Sequence, residues 1–172
     1  IIYERGGVQN WQELAEEIEK YPGVVAAAPL TRLQGMMAYQ GRVQGAMVTG
    51  IDPEAERRVS ILPDHMVEGE LASLTASGFN VVMGEILARR LNLVIGDKVT
   101  LMLPEATLSP AGILPRIKRL TVSGIFSVGA ELDANLAVIH LADARKLARL
   151  SGEAQALRIK TEDLFTAPKL VW

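Results

Sequence analysis

The chain has 172 residues, 49% of them hydrophobic and 22% charged, with a formal net charge of −2 and no cysteine. That length supports one domain or two small ones with a real core, and the composition excludes a disordered chain. It also excludes disulfides and thiolate metal sites, and the charge gives no basis for a nucleic-acid surface. No apolar run approaches the roughly 20 residues that span a bilayer. The chain starts at Ile1 without a methionine and ends at Trp172 in an apolar stretch. We read it as a fragment of a longer protein, from which flanking membrane segments can have been removed.

In chain order, Ile1–Glu4 reads as a short strand closed by Gly6-Gly7. Trp11–Tyr21 reads as a helix, with Trp11, Leu14, Ala15 and Ile18 on one face. Asn10 is its N-cap, Glu13 completes a capping-box-like arrangement, and Pro22-Gly23 ends it. Val24–Leu33 follows as a strand in which Pro29 marks a bulge or an edge. Met36–Gln40 and Arg42–Thr49 form a hairpin around Gln40-Gly41. Gly50 to Pro53 breaks the chain, and Asp52 caps a short helix through Glu54–Val59.

Ile61–Thr75 is irregular. Asn80–Met83 is a strand, Glu85–Leu91 a helix, and Asn92 its left-handed end. Asp97–Leu103 and Arg116–Phe126 alternate as two strands of a ribbon. Leu136–Leu141 is a strand buried on both faces. Asp143–Leu150 is a helix with Leu147 and Leu150 inward, ended by Gly152. Ala156–Lys160 is a last strand, and Leu164 onward begins another helix. The fold class is α+β, with short helices on mostly antiparallel strands. The pattern suggests a discontinuous βαβ lobe, residues 1–52 with 151–172, and an inserted β-rich lobe, 53–150.

Catalytic signatures are missing: there is no phosphate loop, no G-x-S-x-G and no H-E-x-x-H. His140, beside Asp143, reads as a partly buried strand-end residue, and His65 as a solvated one. Glu68/Glu70 and Glu131/Asp133 have the spacing of paired carboxylates but read as solvated loop charge. Met36, Met37 and Met47 read as core. No catalytic, metal or cofactor site is assigned. The rival class, a soluble hydrolase, would need Glu68/Glu70 or His140/Asp143 to share a pocket.

The stretch PEATLSPAGILP, Pro104 to Pro115, is the candidate functional element. Pro104, Pro110 and Pro115 fix φ and remove donors, so the tip is expected to leave the ladder while staying stiff. It holds Leu108, Gly112, Ile113 and Leu114, with no positive charge before Arg116. Each leucine or isoleucine left in water forgoes about 1.5–3 kcal/mol. Two readings stand: an arm that completes its burial in a partner, or a loop folded over its own domain. Arg116, Lys118 and Arg119 form a positive pad at its base. They are either edge protection or an electrostatic guide.

GEILARRLNLVIGDKVTLMLP, Gly84 to Pro104, resembles the extracytoplasmic core domain of the MacB-type ABC transporter superfamily. The tip with the following RIKRLTVSGIFSVGAELDANLAVIHLADARKL resembles the lipoprotein-releasing branch, LolC and LolE, and its LolC-type hook. YPGVVAAAPLTRLQGMMAYQGRVQGAMVTGID fits the same branch. The resemblance implies a two-lobed, MacB-like periplasmic domain of a Gram-negative inner-membrane subunit. It implies a LolD-like ATPase, a second membrane subunit, lipoprotein substrates and a LolA-like periplasmic carrier. The hook would enter the carrier's lipid-accepting cavity through Pro104, Leu108, Pro110, Gly112, Ile113, Leu114 and Pro115. The family's pad positions fall near Thr100, Ile117 and Lys118, of which two depart from its polar-basic pattern; Arg116 or Arg119 substitutes. The alternative within the superfamily is a MacB- or FtsX-type domain that binds another periplasmic protein.

Overall fold

The computed structural model describes residues 1–110 and 112–162, with the backbone alone for 2–6, 105–109 and 113–115. In chain order it has β1 (Ile2–Val8), α1 (Trp11–Glu19), β2 (Val24–Tyr39), β3 (Arg42–Ile51), α2 (Pro53–Val59), β4 (Met66–Gly69) and β5 (Asn80–Gly84). Then come α3 (Glu85–Leu91), β6 (Lys98–Ser109), β7 (Gly112–Phe126), α4 (Ala130–Asn135), β8 (Leu136–His140), α5 (Leu141–Ala148) and β9 (Ala154–Thr161). The mixed, strand-dominated α+β class is the expected one.

Local chemistry sets many of the boundaries. Asn10 Oδ1 accepts from the Glu13 N–H at 3.4 Å, and its amide donates to the Glu13 carboxylate at 3.1 Å, closing the cap of α1. Asp52 Oδ1 accepts from the Ala55 N–H at 3.0 Å, with Pro53 opening α2. Gln40 and Gly41 both have positive φ, 46° and 81°, as a two-residue type I′ turn requires, and Tyr39 pairs Arg42 across it. Asn92 ends α3 at φ 57°.

Several boundaries differ from the sequence reading. β1 continues past Gly6-Gly7 to Val8, its register shifting on the way. β2 is one strand of 16 residues where two were expected. Pro29 is tolerated inside it because β3 pairing starts only at Leu30, leaving β9 as the neighbour. α5 begins two residues earlier than expected and ends at Ala148, with Arg149 left-handed at φ 51°, before Gly152 is reached. α4 was not expected, since six residues give fewer than two turns and no periodic signal. The helix expected from Leu164 lies outside the described residues.

The strand order is β1-β9-β2-β3-β8-β5-β7-β4, and β6 pairs both β2 and β7. The ladder β2-β3-β8-β5-β7-β6 therefore returns to β2 and closes a six-strand ring, the circuit of a small barrel. Inside are Met37, Val48, Met83, Leu101, Leu120 and Ile139, with Leu87 and Leu91 of α3 in the same cluster. A second cluster lies against α2 and the irregular segment after it, with Ile51, Leu62, Phe126 and Val138. β1, β9 and the first half of β2 form a three-stranded extension, under which Ala15 and Ile18 of α1 pack on Ala27 and Leu157.

Gly84 is required by close approach. A Cβ there would meet the Asp133 carbonyl oxygen at 2.2 Å and its backbone carbons at 2.5 and 2.6 Å. The glycine that opens the Gly84–Pro104 run thus lets α4 pack directly on the junction of β5 and α3.

Candidate functional site

The candidate site is the outer half of the β6–β7 hairpin. Its inner half is anchored through β6, which is paired on both edges: Thr100, Leu101 and Met102 pair Ala38, Met37 and Met36 of β2 on one edge and Arg119, Lys118 and Ile117 of β7 on the other. Among the described residues, β6 beyond Met102 has β7 as its strand partner, and β7 before Thr121 has β6. The outer half is thus a two-stranded ribbon with both edges open.

The expectation that the prolines stop the ladder is corrected here. Pairing continues through Ala106↔Pro115, Thr107↔Leu114 and Leu108↔Ile113 to Ser109↔Gly112. Pro104 escapes the ladder in a bulge: Leu103 pairs Arg116 and Ala106 pairs Pro115, leaving Pro104 and Glu105 unpaired. Pro115 sits on a strand whose other edge, among the described residues, has no strand partner at that position, where a missing N–H is tolerated. Pro110 lies in the turn, and Pro104, Pro110 and Gly112 are exposed; Gly112 has φ 114°. Leu108, Ile113, Leu114 and Pro115 are described in backbone only.

The four expected pad residues fall on opposite faces of the ribbon. Arg116 and Lys118 share the face of Leu101 and Leu103. The Arg116 guanidinium donates to the Leu147 carbonyl of α5. Lys118 Nζ stands 3.9 Å from the Phe79 ring centroid, a cation–π contact, with Lys146 Nζ at 5.7 Å from the same ring. Thr100 and Arg119 face the other way. There the register builds two rows across four strands, Gly45-Met36-Met102-Ile117 and Val43-Ala38-Thr100-Arg119. Ile117 is 59% exposed and Met36 44%. The open face beside the hairpin is therefore largely apolar, with Arg119 at its rim.

Sequence reasoning missed these rows because they depend on cross-strand register, which spacing along one strand does not reveal. Of the three methionines expected in the core, Met37 is buried, Met36 is exposed and Met47 is intermediate. Strand alternation sends Met36 and Met37 to opposite faces.

Of the remaining candidates, His140, Asp143 and Asp133 serve structure. His140 Nδ1 accepts from the Ala142 N–H at 3.0 Å and caps α5. Asp143 is fully buried and accepts from the Ser77 and Phe79 N–H groups at 2.7 and 2.9 Å, holding that loop. His65 is exposed with Nδ1 2.8 Å from the Ile61 carbonyl, and Glu68 and Glu70 are exposed. Glu131 is solvated as expected, but Asp133 is buried, a correction. Its carboxylate accepts from the Val128 N–H at 2.7 Å and from the Gly129 N–H and Ser127 hydroxyl at 3.3 Å each, which supplies the hydrogen bonds a buried carboxylate needs. Among the described residues no three His, Asp or Glu side chains gather for a metal, and no helix is long and apolar enough to cross a membrane.

Residues 3–169 match the MacB-like periplasmic core domain family. The chain is 38% identical, over 94% of its length, to the lipoprotein-releasing system transmembrane protein LolC of Neisseria meningitidis, and covers 39% of that protein. It is 35% identical over 91% to LolC of Xylella fastidiosa, covering 38% of it. It thus spans about two fifths of the length of these curated relatives. Among solved structures, the periplasmic region of MacB from Actinobacillus actinomycetemcomitans superposes with a TM-score of 0.60 at 15% identity, over 95% of this chain and 70% of that one. The extracellular domain of the transporter YknZ from Gram-positive bacteria gives 0.57 at 12%, over 90% and 74%. At such identities these two structures speak for the fold alone.

Proposed function

Because the chain belongs to the MacB-like periplasmic core domain family, we propose that it is the periplasmic, non-enzymatic part of a lipoprotein-releasing ABC transporter subunit, anchored in a Gram-negative inner membrane. The LolC relatives, similar over nearly the whole chain, support that branch. In this reading the subunit works with a LolD-like ATPase and a second membrane subunit, and hands lipoproteins to a LolA-like carrier. In this reading residues 1–52 with 151–172 would make one lobe and 53–150 the inserted one, joined where β2 and β3 bond to β6 and β8.

The observation that carries the docking reading is the outer ribbon with two open edges at the position of the hook. Ten residues in ladder pairing, with three prolines, would offer Leu108, Ile113 and Leu114 on a backbone that is already paired. Preorganisation of this kind lowers the entropic cost of association. The apolar residues would enter the carrier's lipid-accepting cavity, and the open face with Thr100 and Arg119 would lie beside its rim. An empty carrier is then held at the exit, and acyl chains pass without crossing water.

The test is capture of the purified carrier by this chain, measured by calorimetry. Deleting residues 105–114 abolishes capture, while Pro110→Ala and Ile113→Asp weaken it with the melting temperature unchanged. Unaltered affinity in the deletion would refute the hook.

A further inference from the structure

A cavity of about 420 Å³ lies on the outside of the ring, between the sheet, α2 and α4. Its floor is the outer face of β3 and β8: Met47, Ile51, Leu136 and Val138. Its two lips carry exposed apolar side chains, Ile61 after α2 at 60% and Leu132 of α4 at 51%. Two large hydrophobic side chains in water on either side of an apolar floor form a gap that a hydrocarbon chain would fill. The volume is in the range of small-molecule sites.

The basic groups gather at one end. Arg32 of β2 and Arg158 of β9 stand there with Glu56 of α2. Arg158 Nη1 donates to Glu56 Oε1 at 2.6 Å; the Glu56 side chain is 3% exposed and that of Arg158 30%. A guanidinium has five N–H donors, so the pair holds Arg158 in place while part of its fork still faces solvent. Among the described residues, the buried Glu56 Oε2 has no hydrogen-bond partner. Such a pair adds little to stability compared with well-packed apolar residues. The other carboxylate of the wall, Glu131, is on α4, which packs over β3 and β5, away from the β2–β9 end. Met47 and Asn135 also line a second hollow that runs past Met36 and Met102 to Pro104 at the base of the hairpin. The apolar floor therefore continues toward the ribbon, lined by pliable methionines.

We infer that this cavity binds an anionic amphiphile with a single hydrocarbon chain, of the fatty-acid type. Its carboxylate meets Arg158 and Arg32, and its chain lies over Met47, Leu136 and Val138 between the Ile61 and Leu132 lips. This site is separate from the proposed hook, and either can fail without the other.

The test is fluorescence titration of the 172-residue chain with cis-parinaric acid and with its methyl ester. The acid binds saturably at one site, at least fivefold tighter than the ester. Leu132→Glu, at an exposed lip, weakens the acid tenfold or more, and Leu136→Trp, which fills the cavity, abolishes binding. Arg32→Gln removes the preference for acid over ester. Deleting residues 105–114 leaves parinarate binding intact. Absence of saturable binding, or binding indifferent to both Leu132→Glu and Leu136→Trp, overturns the site. Equal affinity for acid and ester overturns the anionic head. Circular dichroism melts of each variant separate loss of the site from loss of the fold.

Discussion

The inner and outer halves of the β6–β7 hairpin share one ladder but differ in what lies beside it. The inner half has β2 on one edge, and Leu101 and Leu120 fully buried within the ring. The outer half has open edges and three prolines within twelve residues. The lesson is that backbone pairing alone does not distinguish a structural strand from a presenting one; the neighbours do. Ladder pairing runs through both halves, while the fully buried Leu101 and Leu120 belong to the inner one.

The strongest way to break this comparison is Leu101→Ala. A fully buried leucine in the ring should cost about 2–5 kcal/mol in denaturant unfolding; a loss as small as a surface substitution would mean the inner half is not core. Next is Ile113→Asp, which should leave stability within about 0.5 kcal/mol. It should weaken carrier binding tenfold or more, about 1.4 kcal/mol or above, and a large fall in melting temperature would instead place Ile113 in this chain's own interior.

Arg119→Glu and Lys118→Gln sharpen the contrast between the two faces of the ribbon. If the partner lies on the open face, Arg119→Glu slows association a fewfold, most at low salt, because rim charges act mainly on the on-rate. Lys118→Gln, on the Phe79 face, leaves that rate unchanged. Stopped-flow mixing with the carrier reads both.

The smallest effect tests a buried carboxyl outside the ribbon, Glu56 on α2. Burial pushes the Glu56 carboxyl above the usual carboxylate range, and Arg158 and Ser60 draw it part of the way back. The folded state therefore keeps its proton to higher pH than the unfolded state. Its contribution is fully present below the unfolded value of about 4.3 and is lost as pH rises through the folded one. Relative to Glu56→Gln, the parent chain should lose stability in urea titrations as pH rises above about 4.3 and through the raised titration range of the folded carboxyl.

Much of the fold was legible because local chemistry announces itself. Asn10 with Glu13, Asp52 with Pro53, Gln40-Gly41 and Asn92 each fix a boundary through their own hydrogen bonds or φ. The apolar run of β8 was readable for the same reason, since Ala137, Val138 and Ile139 are all buried. What stayed hidden is non-local. Nothing within β6 says that it pairs β2 as well as β7 and so closes the ring. Nothing near Pro104 says that a two-residue bulge lets the ladder resume beyond it. The split of the basic residues between two faces follows from alternation. That Arg116 is spent on α5 and Lys118 on Phe79 does not, since both partners are distant in sequence.

β2 has a mechanical consequence. Its first half is bonded to β9 and its last residues to β6, with no break between. Sixteen residues of extended chain span roughly 50 Å. A tug on the β9 end therefore has a continuous backbone path to the root of the hairpin, because one strand is bonded to both.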